Sequence, residues 1–303
     1  MSENKKIFAT PKIRKFAREL GANIAEIEGT ERAGRITEED VKNFVNKNLN
    51  KPQTKEDAKV KSEFNHSDFG DVEVIDIPRV KRLAATHLAN SWNTIPHVTH
   101  HDEADITELE DFRSKLTDPV SGDKIKITPL AFIAKALTNN LKKFPTFNSS
   151  IDNISDGKIT LKKYFHIGIA VDTPHGLMVP KIRNIDQKKI KEIAKELKNV
   201  SELSRNLKIN KKEFFGGSIT ITSLGGIGGT YFTPIINHPE VAILGIGRSY
   251  KKQIFIKDKF IARTVLPISL SYDHRIIDGA EAAKFCNSLK ENLGKNFAYN
   301  LAF

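Results

Sequence analysis

Two spacings of apolar residues alternate along this chain, one of three to four positions and one of two, and their order predicts the architecture. Ile13, Phe16, Ala17 and Leu20 share a helical face after Thr10-Pro11, which supplies a cap and a first residue with φ preset, and Gly21 ends the turn. Thr37, with Asp40 three positions on, opens a second helix striped by Val41, Phe44 and Val45, and Gly29 and Gly34 punctuate the loop between the two. Val80, Leu83, Ala84, Leu88 and Trp92 mark a third helix. Thr107 with Glu110 predicts a capping box for a fourth, and Thr128-Pro129 opens a fifth that carries Leu130, Ile133, Ala134, Leu137 and Leu141. The shorter spacing then takes over at 165–171, 177–182, 218–222, 241–246 and 264–271, interrupted by one long helix around Ile190, Ile193, Ala194 and Leu197. Asp278-Gly279 caps a last helix with Ala283, Phe285, Cys286 and Leu289. This order predicts an α+β fold with a mixed sheet, not a doubly wound one.

Both spacings vanish over 46–71, a stretch rich in Lys, Asn, Gln, Asp and Ser around Pro52, which reads as a flexible linker. The expected organisation is a disordered N-terminus at 1–6, a small helical unit at 7–45, the linker, and a large domain at 72–303. A unit of about forty residues buries little core and should be marginal alone.

Composition narrows the partners. The net charge is +11, yet the basic residues are spread among acidic ones and form no stripe with interleaved aromatics, which argues against nucleic acid. A polyanionic ligand or an acidic protein surface suits a diffuse positive balance. The single cysteine, Cys286, sits on an apolar helical stripe as a small hydrophobe and cannot form a disulfide within one chain. The N-terminus lacks an apolar core or an Arg-rich presequence, and no apolar stretch approaches membrane-spanning length, so a cytoplasmic location is expected.

The chemistry concentrates in Ser271-Tyr272-Asp273-His274-Arg275-Ile276-Ile277-Asp278-Gly279, where a strand ends and a helix begins. A rigid scaffold displays catalytic side chains on such connections, and imidazole can take and return a proton near neutrality. A lone His with Asp at i+4 is as well explained by a structural hydrogen bond. Asp278 could orient His274 in a triad; a capping role at the helix start, or a pairing with an arginine, is the simpler reading. Gly225, Gly226, Gly228 and Gly229 lack the Lys-Ser/Thr of a phosphate loop and read as close backbone packing. His97, His100 and His101 cannot all face one side of a strand, so no metal site is expected.

Taken whole, D-H-R-x-x-D-G at 273–279 resembles the active-site signature of the dihydrolipoamide acyltransferases, the E2 cores of 2-oxo-acid dehydrogenase complexes, and more distantly that of chloramphenicol acetyltransferase. Stations at 95–99 (I-P-H-V-T), 144–149 (F-P-T-F-N-S), 222–229 (T-S-L-G-G-I-G-G) and 237–245 (N-H-P-E-V-A-I-L-G) follow in the same order, so the resemblance covers roughly 72–303. The wording P-H-V-T-H and D-I-T-E-L-E is similar to the bacterial pyruvate dehydrogenase branch. The resemblance implies a chloramphenicol-acetyltransferase-like domain that moves an acetyl group from dihydrolipoamide to coenzyme A, with no metal. His274 would be the base, the Thr222 hydroxyl the donor to the oxyanion, and Asp278 a support. It also implies trimers with sites shared between neighbours, joined into a cubic core through the apolar tail at 298–303.

The small unit, A-T-P-x-I-R-x-F-A-R-E-L-G then G-T-x-R-x-G-R-I-T-x-E-D-V, resembles the peripheral subunit-binding domain of the same family. Arg14, Arg18 and Arg35 would then dock an acidic partner, the 2-oxo-acid decarboxylase (E1) or dihydrolipoamide dehydrogenase (E3). Glu31 departs from the family's second Gly of G-T-G and would strain the loop if that position needs positive φ. No lipoyl domain precedes this unit, so the lipoamide is expected from another domain or chain. Succinyl or branched-chain transfer, a non-catalytic scaffold and a free-standing acyltransferase acting on a small amine or alcohol are the competing readings.

Overall fold

In the computed structural model, which describes residues 8–49, 65–117, 122–152, 154–295 and 297–298, the first apolar stripe is helix α1, Pro11–Glu19. Thr10 Oγ1 accepts its cap bond from Ile13 N at 3.4 Å. Helix α2, Glu38–Leu49, opens on the reciprocal box the sequence predicts: Thr37 N donates to Asp40 Oδ2 at 2.8 Å and Asp40 N to Thr37 Oγ1 at 3.2 Å. Asp40 also accepts the N–H and the hydroxyl of Thr30 at 3.2 and 2.8 Å, which ties the loop to the helix. Ile13, Ala17, Ile27, Ile36 and Val41 form the unit's own core. The helix runs past Asn46, where the linker was expected to begin, and 50–64 of that linker lie outside the described residues. The chain divides into two units between Val74 and Ile75.

Glu31 does not strain the loop. Its φ is −80°, ordinary extended backbone, and its N–H donates to Arg35 O at 3.2 Å. The glycine requirement falls on its neighbours: Gly34 has φ +70°, and a Cβ on Gly29 would lie 2.4 Å from Gly34 O.

Burial pushes the Asp40 carboxyl up, but the Thr37 and Thr30 bonds outweigh it and hold the group at about 2, below the ordinary 3.8. A carboxylate depressed in the folded state stabilises above its unfolded pKa and loses that contribution as pH falls through the folded one. The small unit should therefore weaken between about pH 4 and pH 2. Asp40→Asn should cost about 1–2 kcal/mol near neutrality and flatten that acid limb. Amide resonances of Ala17 and Val41 followed through thermal melts across this pH range check it.

The larger unit is built on one mixed sheet, in the order β1-β9-β7-β6-β4-β5, with β8 on the free half of β9. Its strands are β1 His97–Asp105, β4 Ile167–Ile169, β5 Lys181–Ile182, β6 Ile219–Ser223, β7 Ala242–Ile246, β8 Tyr250–Ile256 and β9 Lys259–Asp273; β2 Ser149–Ser150 and β3 Thr160–Leu161 form a separate pair. β4, β6 and β7 are parallel neighbours, and the remaining pairings are antiparallel. The strands read at 218–222, 241–246 and 264–271 are present. Those read at 165–171 and 177–182 shrink to three and two residues, linked by an isolated Val171–Met178 bridge.

Helix α5, Pro129–Lys143, buries most of its length and packs against α6, Ile190–Arg205, and α7, Gly279–Leu293. Phe147 and Phe285 stack at 4.1 Å in the core between the helices and the sheet. One expectation fails locally. Helix α4, Thr107–Ser114, has no side-chain cap; the Thr107 hydroxyl instead donates to Asp105 Oδ1 at 2.6 Å and accepts from Thr264 N, while Glu110 pairs with Arg113. Helix α3, Arg79–Thr94, forms where its apolar residues predict it, with Val80, Ala84 and Leu88 half-buried and Leu83 and Trp92 66% and 55% exposed.

Candidate active site

β9 ends where the sequence places the chemistry. Its last residue, Asp273, pairs with His97 of β1, and Asp273 N donates to Val241 O at 2.9 Å. One residue on, His274 N donates to Pro96 O at 3.1 Å, so the backbone of the turn is held from both sides while the imidazole stands exposed. The ring tilts 31° from that of Tyr272, with centroids 5.9 Å apart, and has no hydrogen-bond partner among the described residues. Asp278 does not reach it. The Asp278 carboxylate accepts Glu281 N at 2.8 Å and caps α7, so the capping reading holds and no triad forms.

Two supports escaped sequence reasoning. Arg275 grips the buried Asp273 carboxylate bidentately, Nε to Oδ1 at 2.9 Å and an η-nitrogen to Oδ2 at 2.6 Å, which locks the turn around His274. The alternation Asp-His-Arg was the available signal, since charges at i and i+2 flank the displayed residue on one side. His97 is the second support: one ring nitrogen bonds Ile95 O at 2.8 Å and the other accepts Ile236 N at 3.0 Å. Both nitrogens are occupied, so His97 is a brace. His101 bonds Ser269 Oγ at 2.9 Å. Burial, with the charges of His87 and Arg275, holds His238 below the usual imidazole range.

Thr222 lies near the end of β6, half-buried, and its hydroxyl has no partner among the described residues. Ser223 is engaged instead, its Oγ accepting Gly225 N at 3.4 Å at the start of the glycine-rich turn. The availability of the Thr222 hydroxyl distinguishes the two. The close packing expected of the turn's glycines is not found: a Cβ on Gly226, Gly228 or Gly229 would meet nothing within 4 Å and one on Gly225 only Gly247 O at 3.4 Å and Ser223 Oγ at 3.5 Å, whereas Gly228 and Gly229 are called for by their positive φ of +147° and +91°.

His274 and Thr222 are not brought together within one chain. Thr222 pairs with Gly245, Gly245 with Ser269, and His274 lies five residues beyond Ser269. At about 3.4 Å per residue and about 4.8 Å per strand, the two are roughly 20 Å apart.

On the small unit, Arg14 and Arg18 line one depression with Ala17, Gly21, Ala22 and Asn23; Arg35 is not part of it. All three arginines are exposed, and neither Arg18 nor Arg35 has a carboxylate partner among the described residues. Cys286 is buried, and burial pushes its thiol up to about 12, which makes it inert.

Residues 69–299 match the 2-oxoacid dehydrogenases acyltransferase catalytic domain, and residues 7–42 match the e3 binding domain. The chain is 46% identical over 291 residues to the dihydrolipoyllysine-residue acetyltransferase component of the pyruvate dehydrogenase complex of Cupriavidus necator, covering 91% of this chain and 52% of that protein. The chain spans about half the length of this protein and of the corresponding component from Haemophilus influenzae. Among solved structures it is similar to the cubic core of the pyruvate dehydrogenase multienzyme complex, at 43% identity and TM-score 0.74 over 78% of this chain and 96% of that one. It is equally similar, at 44% identity and TM-score 0.74 over 78% and 96%, to the dihydrolipoamide acetyltransferase of Azotobacter vinelandii, studied for the role of a serine, a histidine and an asparagine in its catalytic mechanism. In that protein the serine precedes the histidine by the same separation as Thr222 precedes His274, and the asparagine follows four residues on, where this chain has Asp278.

Proposed function

Because the chain belongs to the 2-oxoacid dehydrogenase acyltransferase family, we propose that its large domain, 72–303, transfers an acetyl group from S-acetyldihydrolipoamide to coenzyme A. The observation that carries this reading is the pairing of an unengaged hydroxyl and an unengaged imidazole at the separation found in the Azotobacter enzyme. His274 takes the proton of the coenzyme A thiol as its sulfur attacks the thioester carbonyl, then returns it to the leaving dihydrolipoamide sulfur; no acyl-enzyme is needed. Thr222 donates to the oxygen that becomes an oxyanion, an interaction worth about 3 kcal/mol of barrier. Asp278 caps the helix behind the turn and fixes its geometry. Hydroxyl, base and the two substrates supply the reaction without a metal.

A separation of roughly 20 Å is too great for both groups to touch one reacting carbonyl, so the site forms between copies, with His274 of one facing Thr222 of the next. The exposed Leu83 and Trp92 of α3 support such an assembly, since both large apolar side chains face solvent in the lone chain. Trimers, and a cubic core built of them, fit the kinship with the cubic-core structure. The tail proposed to join them, Leu301 to Phe303, lies outside the described residues. Deleting it should convert the large assembly to trimers on a mass-photometry trace, and an unchanged mass would remove the tail from assembly.

The small unit docks the decarboxylase or the dihydrolipoamide dehydrogenase through Arg14, Arg18 and Arg35, with the stretch that follows helix α2 as tether and the lipoyl group supplied by another domain or chain. Arg35→Ala should weaken that binding by about five- to tenfold, steepen no salt dependence and leave the transferase rate unchanged. Calorimetry indifferent to both the substitution and salt would remove the docking assignment. A cytoplasmic location follows from the same reading; no described helix is long and apolar enough to cross a membrane. The test of substrate is coenzyme A-dependent transfer with acetyl, succinyl and branched acyl-dihydrolipoamide. A preference for succinyl or branched donors would overturn the acetyl assignment.

A further inference from the structure

Several strands and loops of the large unit converge on an ion pair that acyl transfer itself does not call for. Lys181 on β5 and Glu240 at the entry to β7 are 1% and 2% exposed and lie 2.5 Å apart. Glu240 Oε2 accepts the Thr220 hydroxyl at 2.6 Å, its Oε1 accepts the Asn237 side-chain amide at 3.1 Å, and Lys181 Nζ reaches Thr220 Oγ1 at 3.3 Å. The space is cut to fit these groups. A Cβ on Gly217 would lie 2.2 Å from Glu240 Oε1, and one on Gly168 would lie 2.7 Å from Lys181 Nζ.

Removing two charges from water is costly, and a well-packed apolar pair of the same volume is often as stable. What an apolar pair lacks is direction: it cannot hold three separate backbone segments in one register through oriented bonds. The segments held here lead to both reactive residues. Thr220 lies two positions before Thr222 on β6, on the same face of the sheet. Glu240 immediately precedes Val241, whose carbonyl accepts Asp273 N. Asn237 follows Ile236, whose N–H is bonded to His97, next to the Pro96 carbonyl that accepts His274 N.

We propose that the buried Lys181–Glu240 pair positions the active site, setting both the turn that carries His274 and the strand that carries Thr222. The inference rests on the roles given to those two residues above. Since they serve different sites of the assembly, each pair braces two sites.

The test uses the full, assembled chain with Lys181→Met and Glu240→Gln combined, which leaves no stranded charge, and with Thr220→Val, a volume-conserving change that removes the bonds to β6. In the double variant kcat should fall at least about tenfold, with KM for coenzyme A and dihydrolipoamide within about twofold, because a small displacement of reacting groups lowers turnover more than binding. The peptide spanning 270–276 should exchange its amide hydrogens faster, with β8 unchanged. Thr220→Val should show a smaller kcat loss of about threefold, and it decides the matter if the double variant does not fold. Unchanged kcat and unchanged exchange in the folded variants overturn the proposal. Faster exchange with unchanged kcat keeps the positioning role and overturns the assignment of His274 as base.

Discussion

His274→Ala should lower coenzyme A-dependent acyl transfer by about 10²- to 10⁴-fold, the usual contribution of a positioned acid–base group, without changing assembly or melting temperature. The structural side of this expectation is direct. The imidazole has no hydrogen-bond partner among the described residues, and the bond that places the turn, His274 N to Pro96 O, belongs to the backbone and survives the substitution. Asp273 and Arg275 keep their bidentate contact in its absence. Steady-state transfer from acetyl-dihydrolipoamide is the measurement. Retention of more than about a tenth of the wild-type rate would remove His274 from the mechanism, since a positioned acid–base group typically contributes about 10²- to 10⁴-fold.

Co-assembled His274→Ala and Thr222→Ala chains should recover activity that neither variant has alone. Loss of the oxyanion donor lowers turnover by about 10²- to 10³-fold, so each pure variant should run at or below about one part in a hundred. If every site takes its imidazole from one chain and its hydroxyl from the next, random mixing restores an intact pair at about a quarter of the sites. The mixture should then approach about a quarter of the wild-type rate. The strand register motivates this, because Thr222 and His274 are separated by two strand spacings and five residues along β9. A co-refolded mixture no more active than its components would mean that one chain completes the site alone, and the shared site would fall.

Much of the fold was readable wherever a local rule decided it. The Thr37–Asp40 box and the Asp278 cap form as the spacing predicts, because capping joins residues only three apart and needs nothing from the rest of the chain. The long apolar runs of β6, β7 and β9 are present for a similar reason: each is buried over most of its length, so its composition announces it. Strands β1 and β8 carry no such mark. Their histidines, lysines and acids are tolerated because β1 lies at the sheet edge and β8 is exposed almost throughout, and only their pairing with β9 makes them strands. Thr107 shows a local signal overruled: the ladder to Thr264 claims its hydroxyl before the helix can. Glu31 shows the converse, an apparent violation that disappears because the positive φ sits at Gly34.

The sequence by itself determined the residue types and their order: His274 on a strand-to-helix connection, Thr222 at a strand end before a glycine-rich turn, and arginines on a small capped helical unit. Side-chain chemistry and near-neighbour hydrogen bonding suffice for that, since both are properties of short segments. Tertiary structure alone decided which of these groups are free to act. It showed the Thr222 hydroxyl unengaged, and His97 consumed as a brace by the N–H of Ile236 far along the chain. It also decided the distance between base and hydroxyl, which depends on sheet order and register. Those are set by the packing of residues far apart in the chain, such as Phe147 on Phe285 and Glu240 on Lys181, and no spacing within a segment encodes them.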